Sequence, residues 1–396
     1  MREDRVIELL RNVDPSASGD AEERAWELVR REFEARRTRP RLGSRRGLRV
    51  AVAAAAVALL ALVVLTPAGA AVRDWIGEAF DTESEPDRQS LTELPGGGQL
   101  LVESPGGAWL VEADGSQRRL GDYGELTWSP RGLYAAATAG NQLVAVDPRG
   151  EVRWALNTAG PVSHPVWSPD GFRIAYRSGE QLRVVAGDGT GDRIVARRSA
   201  DAQPAWRPGP GHRLAYVDRR GGAQVIDADG RKGFRFAVPR AGATGVGWSA
   251  GGKELLIYSR DYALVDLGGY GFTLEAPAGS RILSARIGRG GGRRVILTRA
   301  NGRGAATRSE LVVARPRGGE LRQHVLFSAP GHLDGLDLSP DGRWVLVSWR
   351  EANQWLFIRA DRPGRVVSVG NIAEQFDPGR TPPRPGAQPA GWCCPP

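Results

Sequence analysis

The chain has few of the residues that carry disulfide or metal chemistry. Its 396 residues include only two cysteines and four histidines. The cysteines, Cys393 and Cys394, are adjacent, so they cannot link distant parts of this fold to each other. None of the histidines has a second ligand at the spacing of a metal motif; they are His164, His212, His324 and His332. We therefore predict no disulfide framework, no metal site and no cofactor.

Lysine is also nearly absent. Only Lys232 and Lys253 are lysines among 54 basic residues, and all the others are arginines. The net charge of +9 and the pI of about 10.2 would by themselves suit nucleic-acid binding. The arginines are scattered along the chain, however, apart from one cluster before residue 50. We therefore do not expect a nucleic-acid partner.

One long segment contains no charged residue. Residues 50–72 are uncharged, and 50–65 are continuously apolar. A bilayer is crossed by a helix of about 20 such residues, so the sequence predicts a transmembrane helix at 48–72. Arginines crowd the preceding flank, and acidic residues outnumber basic ones after it. This bias predicts a single-pass plasma-membrane protein with a cytoplasmic N-terminus and the rest of the chain outside.

A cleaved signal peptide is the alternative interpretation of this segment. Ala68, Gly69 and Ala70 match the small residues of a cleavage site, which would give a protein secreted after cleavage near Ala70. The region before the span is far longer than the charged start of an ordinary signal peptide. We therefore favour the anchor.

The N-terminal segment, 1–47, is Arg-rich and has helical periodicity. Asp20 begins a capping-box pattern, and Trp26 and Phe33 share one face of the helix that follows. This face could bind a cytoplasmic protein over residues 1–46. A two-helix hairpin that buries its own stripe, or helices lying on anionic lipid, are the alternatives.

A short phrase recurs beyond an acidic linker at 73–90. Its copies are Leu126-Thr127-Trp128-Ser129-Pro130, Val166-Trp167-Ser168-Pro169-Asp170-Gly171, Ala205-Trp206-Arg207-Pro208, Val246-Gly247-Trp248-Ser249 and the fainter Leu338-Ser339-Pro340-Asp341-Gly342. The tryptophans are 39, 39 and 42 residues apart. A period near 40 with a turn signal after each apolar run predicts the blades of a β-propeller.

The strand pattern gives the fold class. Residues 165–198 parse into four short strands separated by Gly- and Asp-rich turns, and similar units fill 91–378. We predict an all-β, seven-bladed β-propeller; six blades is the alternative, if the first or last set of strands completes a shared blade. The recurring tryptophan should lie on the innermost strand and pack between blades. Residues 379–396 are expected to form a Pro-rich tail, whose cysteines are free thiols or, alternatively, form a vicinal or intermolecular disulfide.

The Trp-Ser-Pro-Asp-Gly units, best preserved at 167–171, resemble the WD-type propeller repeats of the TolB family. The resemblance covers roughly 91–370 and weakens at 207–208, 249–250 and 288–289. It implies a propeller that binds proteins or small ligands, although a fold does not determine a function.

The sequence shows no convincing catalytic set. Residues 247–251 match the nucleophile-elbow pattern Gly-x-Ser-x-Gly, but Ser249 aligns with the turn serines of the other repeats and no helical pattern follows. The pairs Asp188 with Asp192 and Asp227 with Asp229 lie in hairpin turns and lack the spacing of a calcium loop. We therefore predict a non-enzyme.

Polar loop residues on one face of the propeller are the candidate binding site. This face carries the turns between the second and third strands of each blade, where Arg and Trp are favoured binding anchors. The predicted site comprises Arg177, Glu180, Arg219, Arg220, Arg260, Asp261, Trp349, Arg350 and Glu351.

These observations predict a membrane-anchored, extracytoplasmic binding or scaffold module with a protein or small-ligand partner. The order of stub, span and outer domain also resembles that of membrane-bound anti-sigma regulators, so a signalling regulator is the first alternative. Many such regulators carry a His/Cys zinc motif, and residues 1–47 contain neither residue. A propeller enzyme is the second alternative.

Overall fold

The computed structural model describes residues 91–230, 235–238, 242–266, 271–288, 294–317, 320–362, 364–378 and 386–394. The predicted segments 1–47, 48–72 and 73–90 lie outside these ranges. Within them, no helix has the length and apolar character needed to span a bilayer.

The described residues form seven four-stranded antiparallel sheets, which are the blades of a propeller. The strands are β1 (Gln99–Ser104), β2 (Gly107–Val111), β3 (Gln117–Gly121), β4 (Gly124–Trp128), β5 (Ala135–Ala139), β6 (Gln142–Val146), β7 (Val152–Asn157), β8 (Val162–Trp167), β9 (Arg173–Ser178), β10 (Gln181–Ala186), β11 (Arg193–Ala196), β12 (Ala205–Trp206), β13 (Arg213–Val217), β14 (Ala223–Asp227), β15 (Arg235–Val238), β16 (Gly245–Trp248), β17 (Leu255–Tyr258), β18 (Tyr262–Asp266), β19 (Gly271–Glu275), β20 (Ser280–Ile287), β21 (Val295–Asn301), β22 (Arg308–Arg317), β23 (Glu320–Pro330), β24 (Leu333–Leu338), β25 (Trp344–Trp349), β26 (Gln354–Arg359), β27 (Val366–Val369) and β28 (Gln388–Cys393). Blades 2 to 7 each use four consecutive strands, from β4–β7 to β24–β27. A short helix, α1 (Ile372–Phe376), follows β27.

Blade 1 is built from both ends of the propeller sequence. Strand β28 pairs antiparallel with β1, so the sheet order is β28-β1-β2-β3. The predicted tail at 379–396 therefore contains the inner strand of blade 1, and the propeller extends past residue 378. Cys393 and Cys394 are joined by a vicinal disulfide rather than being free thiols. Seven blades are confirmed. The last strand supplies the fourth strand of blade 1, and six further sheets complete the ring.

The repeated serine explains the turn after each inner strand. Its hydroxyl accepts the backbone N–H of the residue five positions on: Ser129 from Tyr134 at 3.0 Å, and Ser168 from Arg173 at 2.8 Å. The glycine three positions after Ser129, Gly132, has a φ of 66°, which favours a residue without a Cβ. The phrase thus encodes a tight connection between the first two strands of a blade.

The core lies between neighbouring blades. The predicted inner-strand tryptophans are buried at Trp128, Trp167 and Trp206, while Trp248 is half-buried. The indole N–H of Trp206 donates to the carbonyl of Val166 on the preceding inner strand, over 3.0 Å. Trp248 donates in the same way to Ala205 at 3.2 Å, whereas Trp128 and Trp167 join the preceding blade by apolar packing alone.

Five inner strands, β4, β8, β20, β24 and β28, show register shifts, and in three of them a residue at the shift has a positive φ. These residues are Glu125 (20°) in β4, His164 (54°) in β8 and Gly335 (62°) in β24. Two of these positions hold non-glycine residues, for which such a backbone is uncommon. A bulge changes the direction of a side chain. In the adjacent blades 2 and 3 the residue at the bulge is titratable: Glu125 and His164.

Candidate binding site at the upper face

The strand order defines two faces of the propeller. We call upper the face with the turns between second and third strands and the connections between blades; the lower face carries the remaining turns. All nine residues of the predicted site lie at or next to turns of the upper face. Their role in binding remains a prediction.

Arg177 has the most constrained side chain of the predicted set. Its side chain is only 10% exposed and pairs with the carboxylate of Asp201. The guanidinium also donates to the hydroxyls of Ser163 at 3.2 Å and Ser199 at 3.3 Å. Arg177 therefore positions neighbouring groups, and little of it is available to a partner.

The turns of blades 3 and 4 are joined at the surface. Arg219 pairs with Glu180 across the blade boundary at 3.0 Å, and both side chains are more than half exposed. Arg220 is also exposed beside this pair. Arg260 and Asp261 lie in the turn of blade 5, where their backbone carbonyls accept hydrogen bonds from the next segments of chain. The set thus forms separate groups around the ring rather than one cluster.

Blade 7 holds the third part of the predicted set. Arg350 pairs with Asp334 at 2.7 Å, and Glu351 contacts the His332 ring at 2.7 Å. Trp349 immediately precedes these residues and is only partly buried. The hydrogen bond and charge of His332 outweigh the effect of burial and lower the pKa of Glu351.

The structure adds a cluster that spans blades 1 to 4. His164 lies between two carboxylates, with its Nδ1 3.0 Å from Glu125 and its Nε2 3.1 Å from Asp201. Glu125 also accepts the backbone N–H of His164. Glu103, on β1, lies close enough to interact electrostatically with Glu125 and His164. With Arg177 bound to Asp201, these five residues form what we call the upper histidine cluster.

The cluster changes the protonation of its members. Burial disfavours the charged form of His164, but its hydrogen bond to Glu125 and the charges of Glu125 and Asp201 outweigh burial and raise its pKa. Burial acts against the charge of Glu125 too, yet the contacts with His164 lower the pKa of Glu125. Glu103 has a raised pKa because it is buried and lies near Glu125. The cluster therefore holds a histidine that favours its charged form beside a carboxyl that resists ionisation.

The upper histidine cluster holds more acidic groups than basic ones. Three carboxyl groups face one arginine and one histidine, so with His164 protonated the cluster is net negative only when Glu103 is also ionised. In the part of the chain that the structure describes, no group of three His, Cys, Asp or Glu side chains is placed to hold a metal ion. The Asp201 carboxylate, which is 81% exposed, can accept hydrogen bonds from a cationic group.

A second histidine lies between carboxylates on the lower face. His212 in blade 4 contacts Asp170 of blade 3 at 2.7 Å and also contacts Asp229. Both aspartates outweigh the effect of burial and raise the pKa of His212. Asp192, from the other sequence pair considered for calcium, is bound to Arg183. These aspartates already have cationic side chains as partners.

Ser249 takes the same part in its turn as the other repeat serines. Its side chain accepts the N–H of Glu254 at 3.1 Å, and its carbonyl accepts the N–H of Gly252 at 2.8 Å. The residue is 6% exposed and connects two β-strands. A nucleophile elbow instead joins a strand to a helix.

Sequence reasoning placed Arg177 on this face and noted His164 only as an isolated histidine. It missed Glu103, Glu125 and Asp201. The available signal was local: a histidine lies three positions before the repeat tryptophan Trp167, and a glutamate lies at the same position before Trp128. Their meeting depends on the ring bringing neighbouring inner strands together.

No known protein family and no curated protein matches the sequence. Solved structures do share the fold. The β-propeller domain of Cps50 (Swd1) from Myceliophteria thermophila is 14% identical with a TM-score of 0.50, and the match covers 63% of this chain and 86% of that one. The chain is a seven-bladed β-propeller. Its WD-repeat-like character is confirmed at the level of the fold, whereas the TolB-like type remains a prediction.

Two further structures illustrate how widely this fold occurs. A putative 6-phosphogluconolactonase from Bacteroides uniformis is 13% identical with a TM-score of 0.51, covering 69% of this chain and 95% of that one. A chain in the mitotic checkpoint complex is 17% identical with a TM-score of 0.50, covering 67% and 92%. Similarity at this level of identity identifies the fold and leaves function open.

Proposed function

We propose that this protein is a membrane-anchored, extracytoplasmic scaffold whose propeller binds a protein partner through the upper face, without catalysis. The observation that carries the proposal is the upper histidine cluster, an acid-rich group at the point where inner strands of adjacent blades meet, with the Asp201 carboxylate 81% exposed. The partner would present a lysine or arginine to it. One similar propeller is a chain of the mitotic checkpoint complex, which supports a role in protein assembly.

Zero-length coupling of carboxylates to amines tests the binding face. The chain has only two lysines, so such coupling in native membranes would join its acids mainly to lysines of a partner. We expect cross-links at Glu125 or Asp201, and we expect the variant Glu125→Gln/Asp201→Asn to lose the partner. Asp170→Asn, on the lower face, is the matched control. Partner cross-links that map only to the lower face would contradict the proposal.

The location of the propeller has its own test. Lys253 is exposed in blade 5, so a membrane-impermeant amine reagent should label it in intact cells. The predicted span at 48–72 and its arginine-rich flank support this topology. Labelling of Lys253 that requires lysis would place the propeller inside the cell. A mature N-terminus near residue 71 would instead indicate a cleaved signal peptide.

Two alternatives have distinct outcomes. If the protein is a signalling regulator, a cytoplasmic protein should bind the full-length chain. The double variant Trp26→Ala/Phe33→Ala should abolish that binding. A propeller enzyme is favoured by one observation, the similarity to a putative 6-phosphogluconolactonase. That alternative predicts lactone hydrolysis that His164→Gln abolishes.

A further inference from the structure

The lower face of blades 2 and 3 exposes large apolar side chains. Leu133 is 58% exposed, Tyr134 39% and Phe172 66%, and Val152 follows a nearby turn with 52% exposure. The two turns that carry them are in contact, since a Cβ at Gly171 would lie 3.7 Å from the Pro130 ring. We call Leu133, Tyr134, Val152 and Phe172 the lower apolar patch.

The repeat shows that this position does not have to be apolar. Leu133 and Phe172 each follow the glycine that closes the serine turn. In blades 5 and 7 the same position is occupied by Lys253 and Arg343, which are exposed. The turn therefore accepts charge where it faces water. Apolar residues in two adjacent blades indicate a surface that faces something other than water.

The N-terminal connection reaches the propeller on this same face. The backbone N–H of Leu94 donates to Ala113, in the lower turn of blade 1, over 2.9 Å. Blade 1 in turn contacts blade 2 here, where Arg118 donates to the carbonyl of Pro148 at 3.2 Å. The predicted span ends at residue 72, and the linker 73–90 can reach at most about 60 Å when fully extended. The chain therefore enters the propeller on the lower face, and a tether at the proposed span would be attached on that side.

Basic side chains lie beside the apolar residues. Arg131 is exposed two positions before Leu133, and Arg149 is exposed in the neighbouring lower turn of blade 2. Aromatic and aliphatic side chains flanked by arginines suit the interface of an anionic bilayer, where the rings enter the headgroup region and guanidinium groups bind phosphates.

We infer that the lower apolar patch docks the propeller on the anionic surface of the membrane that anchors it. Docking would hold the lower edge of blades 2 and 3 against lipid, leave the lower turn of blade 5 in water and turn the upper histidine cluster towards an approaching partner. This inference depends on the proposed anchor, and it makes residues 91–394 a peripheral membrane domain as well as a tethered one.

Hydrogen exchange of the full chain in nanodiscs tests the inference. In discs with roughly one third phosphatidylglycerol, we expect amides at 129–134 and 168–172 to exchange about threefold more slowly than in the detergent-solubilised chain. The turn at 249–254, which contains Lys253, is the internal control and should not change. Equal exchange at all three turns would overturn the inference.

A variant excludes other causes of protection. Leu133→Lys/Phe172→Lys copies the charge found in blade 5, so it should fold with an unchanged melting temperature and lose the protection. Protection that persists in this variant means that protein covers the face, and it overturns lipid docking. A chain that fails to enter nanodiscs contradicts the anchor itself, whereas a chain that enters without protection contradicts only the docking.

Discussion

Trp392 donates its indole N–H to the carbonyl oxygen of Gly97 at 2.7 Å, although the two residues are 295 positions apart in sequence. The Trp392 side chain is buried and meets Phe357 edge to face, with ring centroids 5.6 Å apart. One side chain therefore connects β28, the chain entering blade 1 and blade 7. This contact closes the ring together with the pairing of β28 and β1.

Replacing this tryptophan should destabilise the whole ring. Trp392→Ala removes a buried aromatic side chain and leaves a cavity between blades 1 and 7, which should cost about 3–5 kcal/mol of unfolding free energy. Denaturant unfolding of the purified chain measures the change. Phe172→Ala, at a surface position, is the control and should stay within about 0.5 kcal/mol of wild type. A small loss for Trp392→Ala would mean that β28 does not close the ring.

Ser249 should behave as a structural serine. Ser249→Ala leaves the partly buried N–H of Glu254 without its side-chain acceptor, so the unfolding free energy should fall by about 1 kcal/mol. Ser129→Ala removes the equivalent bond in blade 2 and should cost a similar amount. Ser116→Ala, at an exposed turn, should have little effect. A hydrolase activity lost in Ser249→Ala alone, with unchanged stability, would reverse this interpretation.

His164 should stabilise the fold most at mildly acidic pH, where its ring is charged and Glu125 is still ionised. The pKa of His164 in the folded protein is above its ordinary value of 6.5, so the folded state binds this proton more tightly than the unfolded state. While Glu125 and Asp201 remain ionised, the stabilisation is complete below about pH 6.5, and it is lost as the pH rises through the folded pKa of His164. The gap in unfolding free energy between wild type and His164→Gln should thus shrink by about 1 kcal/mol from acidic to alkaline pH.

The neighbours of His164 provide the controls for that experiment. Glu125→Gln should remove more of the pH dependence than Asp201→Asn, because the Asp201 side chain is 81% exposed and screened by solvent. The gap in unfolding free energy between wild type and His212→Gln should also shrink as the pH rises, since the pKa of His212 is raised too. A gap between wild type and His164→Gln that grows with pH would contradict the assignment of the cluster.

The disulfide should matter little for global stability. Cys393 and Cys394 are adjacent, so their bond closes a very small loop and removes little freedom from the unfolded chain. Cys393→Ser/Cys394→Ser should retain the fold and lose less than about 1 kcal/mol of unfolding free energy. Thermal unfolding measures the effect, and mass spectrometry of the alkylated protein reports the bond. A large loss of stability would show that the sulfurs contribute to the closure by packing.

The repeat phrase predicts most of the fold because each part of it has a local physical role. The serine and glycine determine the turn, and the tryptophan fills the space between blades. The spacing of the phrase together with the strand pattern therefore predicts seven blades, with six as the alternative. The closing strand was missed because 388–393 contains a proline and a glycine and lacks alternating polarity. Gly391-Trp392 does repeat Gly247-Trp248, which was the usable signal.

The site was less predictable than the fold. The turn residues Glu180, Arg219 and Arg350 were correctly placed on one face by blade topology. Glu103 and His164 are 61 positions apart, and nothing local in the sequence brings them together. Their proximity follows from the ring geometry and from bulges in the inner strands. Pairing across blades is a tertiary property that a single-sequence pattern does not contain.

The position of β28 has a consequence for synthesis. The ribosome synthesises β1 almost three hundred residues before β28. Until β28 is made, β1 is therefore an unpaired edge strand of blade 1. A stalled or proteolysed product lacking 388–393 is consequently not a slightly shorter propeller but an open one, with an edge that can recruit strands from other chains. Quality control that recognises exposed strand edges would detect such products.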